Sequence, residues 1–120
     1  MYQVSVKQHF DAAHFLRGYQ GKCERVHGHR FEVAVAVEAK ALNDIGIAFD
    51  FALLKKHLGE VLSRLDHVCL NDISPFDSIN PSSENIAANV YRELKGGLSG
   101  VAILKVEVWE SPEACATYIP

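Results

Sequence analysis

The chain has 120 residues, with 12 Lys and Arg against 15 Asp and Glu for a formal charge of -3, and it is 48 % hydrophobic and 22 % charged. That is ordinary globular usage: it excludes a disordered chain, and the length fits one compact domain over residues 1–120 with no room for a second. Without a basic excess, phosphate backbones and anionic membranes are poor partners; no apolar run reaches the roughly 18 residues of a membrane span, and the N-terminus alternates where a signal peptide would be continuous.

Tyr2 to Gln8 alternates, with Val4 and Val6 on one face, and His9 to Phe15 prolongs this first strand with a bulge. Arg17 to Glu24 is a glycine-containing loop leading to Arg30–Ala39, where Phe31, Val33, Val35 and Val37 share one face of a second strand. After Asn43, Asp44 and Gly46, Asp50 is placed to cap a helix from about Phe51 to Leu65, with Phe51, Leu54, Leu58, Val61, Leu62 and Leu65 at helical spacing. Asp66 to Pro81 is a loop. Ser82 or Ser83 caps a second helix with Ile86, Ala87, Val90, Tyr91 and Leu94, which Gly96 and Gly97 stop. Val101–Trp109 and Ala114–Ile119 alternate and form a hairpin. The order ββααββ predicts an α+β fold, a four-stranded antiparallel sheet with two helices on one face. Such a sheet leaves open edges, which either close into a barrel between subunits or stay short and charge-blunted on a monomer.

Six histidines stand in this short chain, and His14, His27 and His29 all fall in its first quarter. Residues two apart on a strand point the same way, so His27 and His29 can reach one metal ion, and Gly28 leaves that approach uncrowded. In an antiparallel hairpin His14 lies opposite the start of the second strand and supplies a third nitrogen. Three histidines without a fourth protein ligand describe zinc with an open position, the catalytic pattern; the same spacing also describes unrelated surface or core histidines. Cys23, four residues before His27, can act as base or nucleophile once a metal or imidazolium lowers its pKa. Cys69 and Cys115 read as small buried hydrophobes, and three cysteines so far apart do not make a disulfide framework, which fits a reducing cytoplasm. Asp66–His67 can form a proton-shuttling dyad or simply be loop and cap residues. Glu110, at a strand end beside Trp109, can take two parallel N–H bonds from a heterocycle or be a solvated glutamate.

Taken in order, Ala12-Ala13-His14, Cys23-Glu24-Arg25-Val26-His27-Gly28-His29, Leu65-Asp66-His67, Ser82-Ser83-Glu84-Asn85 and Val108-Trp109-Glu110 resemble the 6-pyruvoyltetrahydropterin synthase family over nearly the whole chain. Three residues between the cysteine and His-Gly-His resemble its bacterial 6-carboxytetrahydropterin synthase branch, in queuosine biosynthesis. The resemblance implies one zinc ion per subunit on His14, His27 and His29, with Cys23 as the proton-transferring thiolate and Asp66 with His67 as its partner dyad. Glu110 would anchor the pterin, helped by Ser82, Ser83 and Glu84. It implies the tunnelling fold, in which subunits join into trimeric barrels and hexamers with active sites between them. The implied substrate is 7,8-dihydroneopterin triphosphate, giving 6-carboxytetrahydropterin, acetaldehyde and triphosphate, and Lys22 and Arg25 are placed to meet the triphosphate.

Glu24 also satisfies a Glu-x-x-His-Gly-His pattern, resembling members in which a glutamate is the acid/base and the product is 6-hydroxymethyldihydropterin for folate synthesis; formation of 6-pyruvoyltetrahydropterin is a further alternative. A different class, a module that holds zinc or a pterin without turnover, stays open beside these.

Overall fold

The computed structural model describes residues 1–120. Four strands, β1 (Tyr2–His14), β2 (His27–Ala39), β3 (Ala102–Ser111) and β4 (Ala114–Tyr118), form one antiparallel sheet in the order β1-β2-β3-β4. Between β2 and β3 run two helices, α1 (Phe51–Ser63) and α2 (Ser83–Gly97), packed on each other and on one face of the sheet. Period-two alternation explains the strands: Phe31, Val33, Val35 and Val37 of β2 are wholly buried against the helices, and Val6, Phe10 and Ala12 of β1 lie on the same side. The Phe10 and Phe31 rings stack at 4.9 Å between centroids.

Both helices start where a side chain satisfies a free amide. Asp50 accepts from the Ala52 N–H at 2.8 Å, and Ser82 accepts from the Asn85 N–H at 3.1 Å. Leu54, Leu58 and Leu62 of α1, with Ile86, Ala87, Val90 and Leu94 of α2, fill the layer above the sheet. Phe51 is instead 55 % exposed, and Leu65 is buried just beyond the end of α1.

Several local expectations are corrected. β1 pairs with β2 in unbroken register from Tyr2↔Ala39 to His14↔His27, so it carries no bulge. The irregularities fall in β3, where Leu104 and Glu110 have no partner in the ladders to β2 and β4 respectively. α2 ends at Gly97, as expected, but neither Gly96 nor Gly97 is left-handed; Gly100, at φ 79°, makes the left-handed turn. A Cβ on Gly97 would come 3.3 Å from Nδ1 of His57, so that glycine serves the approach of α1 to α2. Cys115 is exposed rather than buried, because it pairs with Trp109 on an edge strand; Cys69 is half-buried.

The segment between the helices is anchored by buried Leu70 and Phe76 and contains a 3-10 turn at Leu70–Asp72. Its asparagine amides continue β1 beyond its end. Asn71 exchanges two hydrogen bonds with the backbone of Phe15, both at 3.0 Å, and Asn80 does the same with Arg17, both at 2.9 Å.

The packing predicts that Phe31→Ala, which empties the centre of the core, destabilises the chain by about 3–5 kcal/mol. Loss of the cap in Asp50→Ala should cost only about 1 kcal/mol. Urea denaturation of the two variants checks the ranking.

Candidate functional site

The register that builds the core also carries the histidines. On β1 and β2 the core-facing series continues past Phe10 and Phe31 to His14, His29 and His27, with His14 opposite His27 and Ala12 opposite His29. Their ring centroids lie 4.6 Å (His14–His27), 5.4 Å (His14–His29) and 4.8 Å (His27–His29) apart. Gly28 does not serve this approach. A Cβ there would meet only the Ala12 carbonyl at 3.8 Å, an ordinary contact.

Two of the three rings are oriented by backbone carbonyls. His14, 1 % exposed, donates from Nδ1 to the Pro81 carbonyl at 2.7 Å, and His27 donates from Nδ1 to the Arg25 carbonyl at 2.6 Å. With Nδ1 protonated, each ring presents the lone pair of Nε2, the form in which imidazole binds a metal. Burial holds the His14 pKa below the usual imidazole value, against the raising effect of the Pro81 bond, and neighbouring His27 adds to the lowering. The ring is therefore neutral near neutral pH.

Glu110 joins this group, a placement the sequence did not disclose. Its Oε1 lies 3.1 Å from Nε2 of His14 and 3.5 Å from Nε2 of His29. The first distance is within hydrogen-bonding reach, yet no hydrogen bond forms there, and His14 Nε2 is buried without a hydrogen-bond partner. An orphaned buried nitrogen amid imidazole and carboxylate donors, all within 4.8 Å of one another, fits a divalent metal of zinc type. The carbonyls of Pro81 and Arg25 are the other participants missed, since a backbone acceptor leaves no mark on residue type.

A second group lies at the outer edge of β1. Asp66 Oδ2 meets Nδ1 of His67 at 2.8 Å, while its Oδ1 accepts the Asp11 N–H at 2.9 Å. His67 in turn donates its own N–H to the Asp11 carbonyl at 2.6 Å, and Ala13 donates to the Val68 carbonyl at 3.0 Å, so this short segment is stitched to the strand. His67 has φ 58°. The Asp11 amide first, and then His67, hold the Asp66 carboxyl below the ordinary carboxylate range. Arg30 clamps Asp11 at 2.9 and 3.2 Å and lowers its pKa likewise. A cleft of ≈ 570 Å³ runs from His29 and Arg30 past Asp11 to His67 and Cys69.

The remaining candidates lie outside both clusters. Cys23 is half-buried in a 3-10 turn at Lys22–Glu24, tied to the end of β1 by the Leu16 N–H on its carbonyl at 2.7 Å. Glu24, Lys22 and Arg25 are exposed around a shallow depression at Gly21. Ser82 is engaged as the α2 cap, Ser83 is half-buried and Glu84 is exposed in the first turn; this stretch reaches the histidines through Pro81. No helix is long and apolar enough to cross a membrane.

Because the Asp66 carboxyl titrates below its ordinary value in the folded chain, its stabilisation is complete above that value and lost as pH falls through the folded one. Asp66→Ala should thus lower the melting temperature at neutral pH, with the gap to the wild type closing in acid. A gap independent of pH would mean that the charge is not what holds this corner.

Comparison with known proteins places these residues among relatives. The sequence model described as 6-pyruvoyl tetrahydropterin synthase matches residues 3–120. A 6-carboxy-5,6,7,8-tetrahydropterin synthase of Synechocystis is 39 % identical over 115 residues, covering 91 % of this chain and 86 % of that one. A dihydroneopterin monophosphate aldolase of Pyrococcus furiosus is 34 % identical over 112 residues, with 92 % and 91 % covered. The solved structure of Caenorhabditis elegans 6-pyruvoyl tetrahydropterin synthase superposes with a TM-score of 0.90 at 28 % identity, over 99 % of this chain and 95 % of that one.

Proposed function

The chain belongs to the 6-pyruvoyl tetrahydropterin synthase family and has its tunnelling fold, and on that footing we propose that it is a zinc-dependent 6-carboxy-5,6,7,8-tetrahydropterin synthase of queuosine biosynthesis. In this reading residues 1–120 act as one catalytic unit. The substrate is 7,8-dihydroneopterin triphosphate, which with water gives 6-carboxytetrahydropterin, acetaldehyde and triphosphate. The observation that carries the reading is the buried, unpartnered Nε2 of His14 facing two further imidazoles and a carboxylate. Support for the branch comes from the name and identity of the Synechocystis relative and from the spacing of Cys23 to His27.

His14, His27 and His29 hold the zinc ion, which when bound supplies a Lewis acid that makes the carbon beside a substrate oxygen more acidic. Pro81 and Arg25 keep two of those rings in the ligating tautomer. His67 has Nδ1 fixed on Asp66, which leaves Nε2 free to take up and return a proton, as a general acid/base requires. Cys23 is the other proton carrier. Its turn stands beside the start of β2. Glu110 receives the pterin N3–H and 2-amino group in a two-bond fork, with Ser82, Ser83 and Glu84 at the rim, and Lys22 and Arg25 neutralise the triphosphate.

This reading makes the protein a cytoplasmic homo-oligomer, a trimer or a dimer of trimers. β1 and β4 are the sheet's two edges, and most of β1's outer side has no strand beside it. An edge left so long is normally covered, and subunit pairing would cover it.

A folate-directed reading is favoured by one observation, Glu24 beside Cys23, and by the aldolase relative. Incubating the zinc-loaded protein with 7,8-dihydroneopterin triphosphate and weighing the pterin product separates the two. We expect 6-carboxytetrahydropterin with acetaldehyde, and a loss of turnover of about 10²- to 10⁴-fold in Cys23→Ala and His67→Ala with zinc retained. A 6-hydroxymethyl product that depends on Glu24 would move the enzyme to folate synthesis. Absence of any product would leave a binding module.

A further inference from the structure

We propose that Glu110 is a fourth, displaceable ligand of the metal centre. In the substrate-free protein its carboxylate closes the coordination shell that the three histidines begin, and a pterin that claims the same carboxylate uncovers that position. The inference rests on the reading of His14, His27 and His29 as metal ligands.

The distances carry it. Two donors about 2.0–2.1 Å from a tetrahedral zinc ion stand about 3.3–3.4 Å from each other. Glu110 Oε1 brackets that value, at 3.1 Å from His14 Nε2 and 3.5 Å from His29 Nε2. Neither contact serves an ordinary purpose. The His14 nitrogen makes no hydrogen bond there, and because Nδ1 of the same ring donates to Pro81, the atom facing the carboxylate carries a lone pair. A lone pair and a carboxylate oxygen 3.1 Å apart repel; a cation between them turns the contact into an attraction for both.

The backbone places this oxygen deliberately. Val106, Val108 and Glu110 alternate onto the core side of β3, and the pairing with β4 passes from Trp109↔Cys115 to Ser111↔Ala114 without a partner for Glu110. A bulge of this kind re-aims a side chain at a sheet's end. Glu110 makes no salt bridge to a lysine or arginine, so no such side chain explains its position beside the two imidazoles.

Displacement follows from the stoichiometry of the carboxylate. In the mechanism above Glu110 turns both oxygens to the pterin fork, and a metal on one of them competes with the pterin N–H for that oxygen's electron density and orientation. Pterin binding and opening of the fourth position are then one event, and the Lewis acid stays covered until the ring has docked.

Cobalt(II) bound to the full chain tests this, because its visible spectrum reports the ligand set and a water ligand ionises near neutrality, at a pKa of about 7 on zinc. The wild type should show no pH-dependent band across the neutral range. Glu110→Gln should bind cobalt at least about tenfold more weakly and gain such a band. Glu110→Asp, which keeps the charge on a shorter arm, should also lose affinity, as attraction alone would not require, and circular dichroism checks that each variant is folded. A dihydropterin without a side chain should bring out the band in the wild type. A pH-dependent band in the ligand-free wild type, or unchanged affinity in Glu110→Gln, overturns the proposal while the three-histidine site stands. If His27→Ala binds cobalt as well as the wild type does, the histidine reading falls and this inference with it.

Discussion

Everything at the site depends on the pairing of β1 with β2. Thirteen consecutive residue pairs, from Tyr2↔Ala39 to His14↔His27, run without a slip. A shift of one residue would turn every side chain of one strand to the opposite face, sending Phe10 and Ala12 to solvent and His14 away from His27 and His29. One register thus serves two ends. Phe31, Val33, Val35 and Val37 secure it hydrophobically along most of its length, and the histidines use it in the last few pairs. The polar cluster, expensive to bury on its own, is set in position by apolar packing that lies beside it in the same strands.

The cluster's second support comes from outside the sheet. Pro81 stands one residue before the Ser82 cap of α2, and its carbonyl orients His14. The asparagines Asn71 and Asn80 clamp the chain just past His14 through Phe15 and Arg17, holding the helix connection against the hairpin end. Arg17 adds bonds to the carbonyls of Phe76 and Ile79. These are ways to satisfy backbone groups where the strand ladder stops, and they leave the imidazole ring few orientations. Rigid ligand placement and a well-paired loop are here the same structure seen from two sides.

The parts legible in the sequence were those decided locally. Period-two runs and helical spacing disclosed the ββααββ order, Asp50 and Ser82 marked the helix starts, and His14 opposite the start of β2 followed from antiparallel pairing of the first two strands. What escaped was decided by residues distant in the chain. Glu110 reads as a strand-end glutamate until the pairing of Trp109 with Cys115 and of Ser111 with Ala114 leaves it out of the ladder. Gly97 marks the end of α2, but its closeness to His57 of the other helix shows only in three dimensions. Cys115 carries an apolar label, but its edge strand leaves it in water. Residue type announces preference, whereas register and neighbouring elements settle position.

The turn that carries Cys23 has a different character from the rest of the hairpin. It contains no buried residue, and its tie to β1 is the single bond from Leu16 to the Cys23 carbonyl. Such a segment opens at a small fraction of the free energy that unfolds the sheet. The half-buried Cys23 thiol is therefore held far more lightly than the imidazoles of β1 and β2. A lightly tied turn thus stands beside stiff strand ends and is joined to them through Arg25, whose carbonyl orients His27, so any displacement of the turn would be felt first at that ring.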